Sequence, residues 1–367
     1  MENTFMIEFY PTNKDIQEVW KDSLIVFDTC SLLNLYRYSK ATREQYLSVM
    51  NRAKERLWMP YHVGEEYFKN RVPTLLSVGI AYENINRKLD VQFQEIESSI
   101  NNIFKFREDD QNKLIEEVRK GYDKIKKVVS DSKKSRIPFS PNTDSILEDL
   151  KKFYENRVGI NFTQEEIEKL NKEGEIRFTN KTPPGYCDRS KEDVTKNKFG
   201  DLIIWKQIIE KSCKDKKNII LITDDRKEDW WLEVHGRTIS PRKELYSEFL
   251  LETKQKILIY RPQVFMEYAK EHLKSGVDEK AMKEIIDVSE STELTHTHIP
   301  SSYKFSAEDF AKYTGTPGSS LVGDMANAGI PRAFTAEDFA KYTGIPGSSL
   351  VGNMANAGIP RPLSGEE

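Results

Sequence analysis

An α/β fold with a mainly parallel sheet follows from three observations. Leu24-Ile25-Val26-Phe27 is a run of apolar residues ended at once by Asp28, the pattern of a buried strand that delivers a carboxylate to its C-terminal edge. Asn218 to Ile222 has the same form and ends in Thr223-Asp224-Asp225. Helix-like segments alternate with these runs, which implies right-handed crossovers between parallel strands. Ligands of open α/β sheets bind beyond the carboxyl ends of the strands. Two strands far apart in sequence are therefore expected to bring three carboxylates to one edge.

After the first strand, Leu32 to about Asn51 reads as one or two helices over the sheet, and Leu57-Trp58-Met59 as a short strand stopped by Pro60. A helix follows through Tyr61 to Arg71. From about residue 80 the apolar positions Tyr82, Ile85, Leu89, Phe93, Ile96, Ile100 and Ile103 step by three or four, and Leu114, Val118, Tyr122 and Ile125 resume the rhythm, which predicts an antiparallel helical pair. A helix near Ile146 to Tyr154 follows, and Thr163-Gln164-Glu165-Glu166 is a capping box that opens another. Gly200-Asp201 begins a helix through Leu202 to Trp205 and Ile208-Ile209, and Arg237-Thr238-Ile239 and Lys256 to Tyr260 look like closing strands around a helix from Glu244 to Thr253.

This reading gives an α/β domain over 1–79 and 176–275 and a helical insertion over 80–175. By its polar, serine- and threonine-rich composition 276–304 is a linker. Beyond it the chain repeats itself. Phe305 to Gly315 recurs as Phe334 to Gly344, a period of 29 residues, giving units 305–333 and 334–362. Each unit has the size of two short helices, too small to bury its own apolar face. It is expected to stack on its twin or dock on a protein partner. Ser320 to Ala328 contains no Arg or Lys and includes Asp324, which disfavours DNA reading by the tail.

With 38% hydrophobic residues among 367, the chain can bury a core without staples. Cys30, Cys187 and Cys213 are odd in number and widely spaced, which argues against a disulfide framework and a Cys-x-x-Cys zinc site. No basic, then apolar leader and no run of eighteen apolar residues is present, so a cytoplasmic protein with no membrane partner is expected. The 56 basic and 59 acidic residues nearly balance, and this neither demands nor excludes nucleic acid.

Asp28, Glu66, Asp201, Asp224 and Asp225 are the candidate site carboxylates. Singly each has a plain explanation: Asp28 and Asp201 as helix N-caps, Glu66 as a solvated helix face, Asp225 as a turn. Together they are harder to dismiss, because two carboxylates ~5 Å apart repel by roughly 3 kcal/mol at an effective dielectric near 20. Oxygen-only ligands suit magnesium or manganese, which can bind phosphate oxygens and activate water. A small-phosphate hydrolase would use the same cluster, though a Gly-x-x-x-x-Gly-Lys-[Ser/Thr] loop is absent. Trp230 and Trp231 are expected in the core, and His62 and His235 as structural or surface residues.

In chain order, Phe27-Asp28-Thr29-Cys30-Ser31-Leu32-Leu33-Asn34-Leu35-Tyr36, Glu66 to Arg71, Pro183-Pro184-Gly185-Tyr186, Gly200 to Lys206, and Thr223-Asp224-Asp225-Arg226-Lys227-Glu228-Asp229-Trp230-Trp231 resemble the bacterial PIN-like domain family, a branch of the PIN and flap-nuclease superfamily. The resemblance covers about residues 10–270. It implies a three-layer α/β/α fold with a nuclease site dependent on Mg2+ or Mn2+. Asp28, Glu66, Asp201 and Asp224 match the superfamily's acidic metal ligands, with Asp225 an alternate or supporting ligand. Thr29 and Asn34 match the polar residues that orient the first acid, and with Arg71, Lys198, Arg226 and Lys227 they are the expected substrate contacts. The implied partner is nucleic acid, RNA ahead of DNA, with an inactive scaffold of the same fold as the rival reading.

Overall fold

The structure, a computed structural model, describes residues 11–103, 107–134, 144–190 and 198–295. Its centre is a parallel sheet of three strands, β1 (Ser23–Phe27), β2 (Asn218–Ile222) and β5 (Ile257–Tyr260), in the order β1-β2-β5. The register pairs Leu24 with Ile219 and Ile219 with Ile257. Ile25, Val26, Phe27 and Ile219 to Ile222 are all buried, as strands covered on both faces must be. The Asp28 N–H donates to Ile222 O at 2.8 Å. That bond carries the ladder one step past β1 and sets Asp28 beside the end of β2.

Two sets of helices enclose the sheet. In one, α1 (Asn13–Lys21), α3 (Lys40–Arg52) and α10 (Pro262–His272) come together. Trp20 stacks on Phe265 and His272 with ring centroids 5.5 and 4.8 Å apart, and Phe27 meets the edge of Phe265 at 5.3 Å. In the other, α8 (Gly200–Asp215) and α9 (Lys243–Thr253) hold Trp205 between Phe249 and Trp230 at 5.9 and 6.3 Å. Trp230 and Trp231 are both buried, as the sequence predicts. The fold is the expected α/β class.

Four expectations are corrected. Leu57-Trp58-Met59 makes no strand: Leu57 bridges Ile25 while Met59 bridges Val158, so the chain changes partner within two residues before Pro60 ends it. Arg237-Thr238-Ile239 belongs to β4 (Arg237–Pro241), which pairs antiparallel with β3 (Trp231–Val234) in a separate sheet. His235 and Gly236 both have positive φ, 52° and 72°, and that tight turn makes a local hairpin where a crossover was expected.

The boundary expected between 79 and 80 falls inside α4 (Tyr61–Ile103), a continuous helix of 43 residues. This one helix carries Glu66 at its start and the arm at its end. α5 (Glu108–Lys134) returns antiparallel, tied by Lys133 to Glu83 at 3.2 Å, Lys126 to Asp90 at 2.7 Å and Arg119 to Glu97 at 2.9 Å. Finally, the stretch expected as a linker contains α11 (Glu279–Thr295), with Ala281, Met282 and Ile285 buried. Glu284 accepts from the hydroxyls of Ser39 at 2.6 Å and Thr42 at 2.5 Å on the α3 side. Polar composition hid an apolar stripe at helical spacing. The repeat units 305–333 and 334–362 lie outside the described residues.

Candidate acidic site

Asp28 is the N-cap of α2 (Thr29–Leu33). Its Oδ1 accepts the Thr29 N–H at 2.7 Å, and its Oδ2 accepts the Thr223 hydroxyl at 2.9 Å and the Cys30 thiol at 3.2 Å. Burial, then the nearby charge of Glu66, pushes the Asp28 carboxyl up to about 6, against the pull of those hydrogen bonds. Glu66 comes from α4, where its Oε2 accepts the Thr29 hydroxyl at 2.9 Å and its Oε1 stands 3.6 Å from His62 Nε2. Thr29 thus bridges the first two acids.

Asp201 lies in the first turn of α8, whose N-cap is Phe199, so the capping explanation holds for Asp28 and not for Asp201. Burial raises the Asp201 carboxyl well above the usual range; Lys227 opposes this, and Asp225, Asp188 and Asp28 add to it. Lys227 extends its ammonium to Asp225 at 2.8 Å, Asp188 at 3.0 Å and Asp201 at 3.7 Å. Asp229 supports this side: its Oδ2 accepts the N–H groups of Gly185 and Cys187, both at 3.0 Å, and steadies the loop that bears Asp188.

Asp224 is held elsewhere. It accepts Asn34 Nδ2 at 2.6 Å and the Ser289 hydroxyl from α11, and the charges of Arg226, Arg261 and Arg37 act on its half-buried carboxyl. Arg226 Nη2 also donates to Ser289 Oγ at 3.0 Å. The structure therefore divides the acids. Asp28, Glu66, Asp201 and Asp225 are linked electrostatically in one chain, joined by Asp188. The Asp224 carboxylate takes its hydrogen bonds from Asn34 and Ser289, and Asp224 reaches Asp28 through Cys30, whose thiol accepts the Asp224 N–H and donates to Asp28, both at 3.2 Å.

The expected substrate contacts also divide. Asn34 orients Asp224 and not the first acid, because α2 and the turn after it carry residue 34 past Asp28. Arg71 is paired with the buried Asp144 at 2.5 Å, and Lys198 with Glu175 at 2.5 Å. Asp188, just after the Pro183-Pro184-Gly185-Tyr186 motif, reads in the sequence equally as a further ligand or a turn residue, and it lies in the cluster. Sequence reasoning missed two residues, Asp229 as its support and Ser289, whose helix was read as linker. Only the Lys227 geometry left a trace, since an Asp followed two residues later by a donor N–H is a turn signature, and the Lys227 N–H does donate to Asp225 Oδ1 at 2.8 Å.

Among the described residues no three His, Cys, Asp or Glu side chains converge as ligands of one ion. The donor chemistry nevertheless suits a hard divalent cation. The groups are all carboxylate oxygens, and Asp28 and Asp201 are held above the carboxylate range by burial and by one another's neighbours, a repulsion that a cation relieves. Asp28, Glu66, Asp201 and Asp225 are the residues that would hold it.

A parallel sheet whose carboxyl edge gathers acids from two strands and two helices defines an α/β domain with an acidic site. The chain belongs to the PIN like domain family, which residues 24–245 match. PIN-like domains are generally nucleases and typically use Mg2+ or Mn2+, which points to a nuclease-type function at the level of the family. No curated protein and no solved structure gives a match.

Gly200 tests the geometry. A Cβ there would stand 2.8 Å from Glu66 Oε1 and 3.3 Å from His62 Nε2, so Gly200→Ala must push Glu66 aside. Because the obstacle is a side-chain end, stability should change by less than ~1 kcal/mol. Nuclease activity should fall tenfold or more; wild-type activity in a well-folded Gly200→Ala protein would remove Glu66 from the site.

Proposed function

We propose that the protein is a metal-dependent endonuclease that hydrolyses phosphodiester bonds, in RNA ahead of DNA. The observation that supports the proposal is the electrostatic linkage of Glu66 to Asp28 and of Asp28 to Asp201 beyond the carboxyl end of β1, with raised carboxyls at Asp28 and Asp201. Mg2+ or Mn2+ bound there would neutralise phosphate charge and lower the pKa of water. Thr29 and Thr223 hold Glu66 and Asp28 in orientation, and Arg226 and Lys227, on the turn that follows β2, are the basic residues to contact a phosphate backbone. The preference for RNA rests on the family resemblance. A cytoplasmic setting rests on the cysteine usage and the absence of a long apolar run in the sequence, and a defence or toxin-like role controlled through 305–362 by a protein partner or self-association rests on the architecture of a nuclease domain followed by a repeated tail; among the described residues no helix is long and apolar enough to cross a membrane.

The test is to incubate wild type and Asp28→Asn/Asp201→Asn with labelled single-stranded RNA, single-stranded DNA and duplex DNA, in Mn2+, Mg2+ or chelator. Cleavage by wild type alone, abolished by chelator, is the expected result. The rival reading is an inactive scaffold, favoured by the ammonium of Lys227 lying among the acids. It predicts no cleavage of any polymer with either metal.

A further inference from the structure

Lys227 differs from the other basic residues assigned to substrate. Arg71 and Lys198 pair with acids outside the cluster, whereas the Lys227 ammonium contacts Asp188, Asp201 and Asp225 together. The turn Asp225-Arg226-Lys227 closes the side chain back over the acid that begins it. Burial disfavours the charged ammonium, and the surrounding carboxylates outweigh burial. The lysine is fixed by the charges a metal would need.

We infer that the Lys227 ammonium is the resident counter-cation of the acidic site, and that a divalent cation enters by displacing it from Asp201 and Asp225. The inference rests on the proposed metal-dependent activity and adds a residue that sets metal affinity. Its physical basis is competition. A positive charge a few ångströms from a divalent ion opposes its binding, and oxygens that accept hydrogen bonds from an ammonium must release them before they ligate. Without either cation the carboxylates repel one another, so the lysine preserves the site until metal arrives. The side chain is 34% exposed, which leaves it a route to solvent when displaced.

The test uses the full-length chain and Mn2+ alone. Calorimetric titration of wild type and Lys227→Met should show the variant binding Mn2+ roughly tenfold or more tightly, and Mn2+ should raise the melting temperature of the variant more than that of wild type. Lys227→Arg, which keeps the charge, should bind Mn2+ as weakly as wild type. Independently, amine acylation of wild type read by mass spectrometry should label Lys227 faster in saturating Mn2+ than in chelator; this measurement decides the matter if Lys227→Met does not fold. Equal or weaker Mn2+ binding by Lys227→Met, or labelling that Mn2+ leaves unchanged or slows, overturns the inference while the nuclease proposal stands. A wild type that binds no Mn2+ removes both.

Discussion

Asp28→Asn is expected to abolish metal-dependent cleavage and, in chelator, to raise the melting temperature at pH 7.5. Both effects come from the same desolvated, half-buried charge. The Asp28 carboxyl is pushed up to about 6 in the fold, from 3.8. Between these values the folded chain binds more protons at this position than the unfolded chain, so stability falls as pH rises. The folded state is favoured below about pH 4 and has lost the full contribution above about pH 6. A difference of this size corresponds to of order 2–3 kcal/mol, which an uncharged amide recovers while keeping an acceptor for the Thr29 N–H. The stability gap between variant and wild type, followed by thermal unfolding, should shrink as pH falls toward 4. A variant less stable than wild type at pH 7.5 would show that Asp28 is not under electrostatic stress.

Glu248→Ala is expected to cost about 3–5 kcal/mol of stability. Glu248 on α9 accepts from Trp205 Nε1 at 3.0 Å, Lys206 Nζ at 3.0 Å and Arg177 Nη1 at 3.1 Å, with Arg177 Nη2 closer still. Burial pushes its carboxyl up, and Arg177 and Lys206 outweigh burial and hold it below the usual range. Arg177, from α7 (Gln164–Asn180), is itself buried and also donates to Pro183 O at 2.8 Å. Removing the carboxylate thus loosens α7, α8 and the loop leading to Asp188 together, and α8 carries Asp201. Glu248→Gln keeps an acceptor and should lose about half as much. Denaturant midpoints for the two variants that coincide would refute the charge argument and leave only packing.

Local signals were read where they arise from a few adjacent residues. The capping box at Thr163 is present, with the Thr163 N–H donating to Glu166 at 2.7 Å. The strand runs ending in Asp28 and Thr223 became β1 and β2, since apolar runs of that length have few other ways to be buried. Features that join distant residues were hidden. Neither the pairing of Lys227 with Asp188 nor the bond from Ser289 to Asp224 leaves any periodicity in the chain, and each depends on where a loop or helix finally packs.

The sequence by itself determined the fold class, the family and the stock of carboxylates, because strand hydrophobicity, helix spacing and residue chemistry are properties of short stretches. Only the tertiary structure decided which acids lie together. Asp224 and Asp225 are neighbours in sequence, yet one turns to Asn34 and Ser289 and the other to Lys227. Consecutive side chains at a strand end leave on different sides, and the partners waiting on each side come from elements that folding alone brings there.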